Sequence, residues 1–153
     1  MDLASSALRL AGALQTADLF DAIAGRALDG SAPLPVRLAA LDGLSYFPST
    51  QARDTLASMV ASKATLDLRS HAALALARHH RQAALDSIRE LMPEMQDGTA
   101  ARAFWQQALS LSGVSGELAK ALEAKALDEK TAGFHLTVVP VIDGDAVLVA
   151  VLR

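Results

Sequence analysis

Four histidines, His71, His79, His80 and His135, are the side chains best suited to hold a metal ion or to move a proton near neutral pH. Their spacing argues against both. His79 and His80 are adjacent, so on a helix they point to different faces and cannot form the i, i+4 pair of a metal-binding helix. No acidic residue stands at ligand spacing beside that pair. His71 falls inside an alanine–leucine pattern and reads as a half-buried helix position. The histidines are therefore expected to be structural.

The carboxylates Asp18, Asp21, Asp54, Asp86, Glu90, Glu117 and Glu123 offer the material for a general acid–base pair. Nothing in their spacing builds a pocket or raises a pKa, and solvated helix faces account for them better. Ser49-Thr50 and Ser112 lack a histidine or aspartate partner in any nucleophile motif. The glycines never form a phosphate-cradling loop and read as turns and close contacts. The chain has no cysteine, which excludes disulfides, thiolate metal sites, cysteine nucleophiles and covalent haem attachment within it. The expectation is a protein with no catalytic, cofactor-binding or metal-binding residue, and hence no enzyme.

The elements that would position these side chains announce themselves by repetition. Pro35-Val36-Arg37-Leu38-Ala39-Ala40-Leu41 is echoed by Leu68-Arg69-Ser70-His71-Ala72-Ala73-Leu74 and again by Ala101-Arg102-Ala103-Phe104-Trp105. Arg37 and Arg69 are 32 residues apart, and Arg69 and Arg102 are 33 apart. The second helical stripe recurs in the same phase: Leu56, Met59 and Val60 match Ile88, Leu91 and Met92. A fixed period in this range, with two helical patterns in each, is the signature of a helical solenoid. Trp105, aligned with Ala40 and Ala72, is expected in the core, and Tyr46 and Phe47 are expected to cover a corner next to Pro48.

Composition agrees with a layered helical stack. Hydrophobic residues make up 52% of the 153 residues while aromatics are 4%, so alanine and leucine, strong helix formers, carry the apolar content. The chain suits one domain. A formal net charge of −3 without any lysine or arginine run gives no phosphate-tracking surface. The first residues lack the basic region of a signal peptide, and no apolar run reaches the ~18–20 residues of a membrane span. A soluble chain is expected, cytoplasmic by default. Its opening in mid-pattern and its close on Leu152-Arg153 are consistent with a piece of a longer protein.

Along the chain the pattern divides into about 1–30, 33–63, 66–94, 99–128 and a degenerate 131–153. Pro35 sits in a first helical turn, where its missing N–H costs nothing. Thr16, Ser49 or Thr50, and Asp67 are expected as helix caps. The tail divides the evidence. Its β-branched residues around Asp143-Gly144 read locally as a hairpin. Repeat phase instead places His135, 33 residues after Arg102, at the arginine position of a fifth helical pair. Weighting register over propensity gives an all-α chain of four to five helix pairs, with a C-terminal β-hairpin as the alternative.

The Pro-Val-Arg opening, the Ala-Ala-Leu behind it and the paired-helix period resemble HEAT-like (armadillo-type) α-solenoid repeats over essentially the whole chain. The resemblance implies an α-α superhelix. It also implies that Arg37, Arg69 and Arg102 brace neighbouring repeats and that the second helices line a concave face. On that face it would place Asp21, Arg26, Arg53, Asp54, Ser58, Asp86, Arg89, Glu90, Glu117, Lys120 and Glu123 outward. The mixed, modestly acidic stripe suits a protein partner, with neither nucleic acid nor membrane, and a binding or scaffolding role. Residues 122–127, 132–133 and 145–153 are also similar to HEAT segments of large extracytoplasmic bacterial proteins that join a dehydrogenase-like propeller to a c-type cytochrome domain. On that view the chain is a connecting module. HEAT-like enzymes, DNA glycosylases and bilin lyases, are the remaining class; the glycosylases require a basic aromatic cleft that one Trp and one Tyr do not supply.

Overall fold

The computed structural model describes residues 3–91, 94–95, 103–104, 106–108, 135–140 and 146–151. Two compact units make up the chain, Met1–Ile88 and Arg89–Arg153. From Leu3 to Leu91 the regular structure is helical throughout: α1 (Leu3–Ala13), a 3-10 turn (Ala17–Leu19), α2 (Phe20–Leu28), α3 (Leu34–Leu44), α4 (Thr50–Val60), α5 (Leu66–Leu76) and α6 (Arg81–Leu91).

Helix ends follow local chemistry more closely than the repeat phase does. Pro35 lies in the first turn of α3, where no N–H is needed. At the other end Ser45 Oγ donates to the Asp42 carbonyl at 2.7 Å, satisfying one of the orphan acceptors of the last turn. Ser49 caps α4 by accepting from the Ala52 N–H at 3.2 Å. Two expected caps are corrected. Asp67 lies inside the first turn of α5, and Thr65 holds the cap position without a side-chain bond. Thr16 precedes the 3-10 turn, also without a cap bond, so α2 starts only at Phe20.

The core of the first unit forms around α3. Ala39, Ala40, Leu41 and Leu44 are all fully buried. A helix with α1, α2 and α5 packed on it must be apolar on more than one side. By contrast, α4 buries Ala52, Leu56, Met59 and Val60 while Arg53, Asp54 and Ser58 stay exposed. Phe20 and Phe47 close the corner with rings 5.3 Å apart and nearly perpendicular, the edge-to-face geometry that aromatic quadrupoles prefer.

Contacts between the first helices of each pair ascend together. Ser5 meets Pro35, Arg9 meets Asp42 and Gly12 meets Gly43, so α1 and α3 run in the same direction. His71 meets Asp42 and Arg78 meets Tyr46, which sets α5 on α3 in the same sense. At the α1–α3 crossing two glycines let the backbones touch. A Cβ on Gly12 would fall within the Gly43 backbone, and one on Gly43 would stand 2.7 Å from the Leu8 carbonyl oxygen and 3.2 Å from Ile23 Cγ2.

In the second unit residues 103–104 and 106–108 are helical, with Phe104 and Ala108 buried. Within 131–153, where a fifth helical pair is expected, the described residues are strands. His135–Pro140 (β1) and Ala146–Val151 (β2) instead pair antiparallel, from His135 opposite Val151 to Pro140 opposite Ala146. Local propensity prevails here: the segment is β-branched, and Pro140, unable to donate a backbone bond, is tolerated at a strand end but not within a helix.

Candidate functional site

The repeat arginines can be placed first. Arg37, near the start of α3, donates from Nε to the Ala27 carbonyl in the last turn of α2 at 3.1 Å. Arg69, near the start of α5, does the same to the Val60 carbonyl at the end of α4 at 2.6 Å. Both cations sit where a helix leaves its final carbonyls unpaired and its dipole is negative. Arg102 lies outside the described residues. Replacing Arg69 by methionine keeps the aliphatic stem and removes the bond; a loss of about 1–2 kcal/mol is expected from urea unfolding.

A cluster that the sequence reading missed joins three helices. Asp42 on α3 accepts from Arg9 Nε of α1 at 2.7 Å through one carboxylate oxygen, and its other oxygen is 2.5 Å from His71 Nε2 of α5. All three side chains are about one-third exposed, at 31%, 36% and 30% in that order. Burial pushes the Asp42 carboxyl up, but the hydrogen bonds and positive charge from His71 and Arg9 outweigh it and hold the group below its ordinary value. An aspartate beside a histidine is half of a general-base arrangement. Here Arg9 takes the second oxygen, so the carboxylate is committed to its two neighbours and ties helices together. His71 reads in the sequence only as a half-buried helix position; its partner is 29 residues away.

Repeat phase was the signal for this cluster. Arg9 and Asp42 are 33 residues apart, one period, and side chains at matched positions of adjacent helices become neighbours. Tyr46 and Arg78, 32 residues apart, obey the same rule: the guanidinium carbon lies 4.0 Å above the ring centroid. Such a contact contributes about 0.5–1 kcal/mol at an exposed site. At the neighbouring corner burial, then the positive charge of His79 and Arg53, pushes His80 below its ordinary value. Among the described residues no group of three or more metal-ligating side chains comes together.

The outward residues of the second helices form the other candidate surface. Asp21 and Arg26 on α2, Arg53, Asp54 and Ser58 on α4, and Asp86 on α6 are exposed and lie in the first unit; Arg89 and Glu90, also exposed, belong to the second unit and are not counted in this surface. Glu117, Lys120 and Glu123 lie outside the described residues. One aspartate occupies the same phase in each helix, Asp21, Asp54 and Asp86, at separations of 33 and 32 residues. Gln51 of α4 reaches back to Asp21 at 3.4 Å, Arg53 pairs with Asp54 at 2.8 Å, and Gln82 donates to Asp86 at 3.1 Å. These exposed contacts contribute little to stability. They orient the carboxylates.

The chain matches no family model, no curated protein and no solved structure. Its surfaces must carry the functional argument by themselves. Among the described residues no helix is long and apolar enough to cross a membrane.

Proposed function

We propose that the chain is a HEAT-like helical-repeat module without catalytic activity of its own, which binds or scaffolds another protein through the outward residues of its second helices. The observation that carries this reading is the aspartate recurring at one phase on α2, α4 and α6, exposed each time. Repetition gives such a surface its reach: each helix pair adds one similarly placed side chain, so an extended partner meets the same chemistry at regular steps. The ties from Arg37 and Arg69 to the helix before each, and the same-direction packing of α1, α3 and α5, support a relayed spacing.

Charge selects the kind of partner. Asp21, Asp54 and Asp86 repel a phosphate backbone, and Arg26 and Arg53 beside them break up any purely acidic patch. A protein segment with spaced lysines or arginines fits that alternation.

The test immobilises the chain in extract from its source and compares it with the Asp21→Lys, Asp54→Lys, Asp86→Lys triple variant. A protein retained by the native chain and lost by an equally helical variant is the expected result. Equal retention by both would remove the aspartate face from the account.

A further inference from the structure

The N-terminal pair presents a second surface, of a different kind. Leu3 and Leu10 on the outside of α1, and Leu14 just past its end, form an apolar ridge, 84%, 60% and 68% exposed. Beside this ridge runs a furrow of small residues. Ala4, Ala7 and Ala11, with Leu19 and Ala22 from the other side, line an open, mostly apolar groove of about 640 Å³ whose lining also includes Arg26, Asp29 and Ser31. Apolar surface of this extent on one face marks an interaction site.

We propose that this face pairs two copies of the chain across a two-fold axis, with the α1 helices antiparallel. Ridge and furrow lie on the same helix, so a two-fold operation sets each copy's leucines into the other's alanine-lined groove, the self-complementarity an isologous interface needs. Charge points to the same arrangement. The only charged residue of α1, Arg9, is turned to Asp42, leaving the outer face of that helix without charge. On the flank Asp18 stands before the start of α2 and Arg26 near its end, both exposed. An antiparallel pairing brings the Asp18 end of one copy to the Arg26 end of the other, whereas a parallel pairing sets like against like. Arg26 already pairs with Asp29, but at 3.6 Å and with its side chain 62% exposed it can reach a second carboxylate as well. A preceding helix is the less suitable occupant. Ala4 stands one period before Arg37, so α1 lacks the arginine with which α3 and α5 hold the helix before them.

Two short helices offer less than the roughly 800 Å² per partner of a standard interface, so a dissociation constant of about micromolar order is expected. Sedimentation velocity of the full chain from about 1 to about 300 µM should show a monomer passing to a dimer. Leu10→Lys should remain monomeric over that range with unchanged helicity, since Leu10 has no place in the core. Asp18→Arg and Arg26→Asp should each weaken the dimer by about tenfold, and together should return it to near native strength. A native chain that stays monomeric, or a Leu10→Lys variant that pairs as well as the native chain, would overturn the proposal. A dimer lost with Leu10→Lys but indifferent to the charge exchange would overturn the antiparallel two-fold. A monomeric chain that instead seats an amphipathic helix of another protein in this groove would exclude the second copy as occupant. Leu10→Lys leaves every residue of the aspartate face in place, so that variant separates the dimer from the partner-binding reading: a Leu10→Lys chain that no longer pairs but still captures the partner leaves the latter intact.

Discussion

Gly12→Ala is expected to destabilise the chain by about 3 kcal/mol, the upper part of the range for overpacking. The added methyl would overlap the carbonyl oxygen, Cα and carbonyl carbon of Gly43. These are backbone atoms, so no rotamer change relieves the contact and α1 must move off α3. Displacement would also disturb Arg9 at Asp42 and Ser5 at Pro35 along the same crossing. Alanine is the better helix former by about 1 kcal/mol, and that gain is already set against the loss. Gly25→Ala supplies the internal control. Gly25 is a mid-helix glycine of α2 with open space where the Cβ would go, so propensity acts alone and a gain of about 0.5–1 kcal/mol is expected. Chemical denaturation followed by circular dichroism measures both. Two changes of equal sign would show that the close glycine crossing does not exist.

Asp42→Ala is the second large effect, expected at about 2 kcal/mol because it removes charge-assisted bonds to two helices at once. Partial exposure of all three side chains keeps the value below that of a fully buried pair, since water can reach the stranded Arg9 and His71. The pH dependence follows from the direction of the Asp42 shift. Its carboxyl is held below the ordinary 3.8 in the folded chain, so the pairing contributes fully above that value and is lost as pH falls through the lower folded one. The stability gap between native chain and Asp42→Asn should therefore be present above about pH 4 and close progressively below it. A gap that is constant down to pH 2 would mean that the carboxylate is not charged in the cluster.

Much of the helical unit was legible because its information is local and repeated. Pro35 and Ser49 mark helix starts by their own backbone chemistry, and Arg37 and Arg69 repeat because each meets the same need, an unpaired carbonyl at the end of the helix before it. The Arg9–Asp42–His71 cluster was harder to see because its members are different residue types. A search for repeated identity passes over Arg9 and Asp42, although they share a phase and have complementary charge. The Gly12–Gly43 crossing was hidden for a related reason. A glycine in a helix reads as a weakness until the second backbone is known to lie against it. In the tail the reading gave too much weight to phase. His135 alone stood for the motif, without the Ala-Ala-Leu that follows Arg37, while Val138, Val139, Val147 and Val149 favoured strands and Pro140 opposed a helix.

The central claim, that the second helices recognise a protein partner step by step, is tested most directly by titrating the captured partner against three single variants. Asp21→Asn, Asp54→Asn and Asp86→Asn each remove one charge at a matched position and leave the fold's core contacts alone. The account predicts that each weakens binding, by about 0.5–1 kcal/mol, and that the losses grow less severe as salt is raised. Affinities unchanged in all three variants at low salt would contradict it.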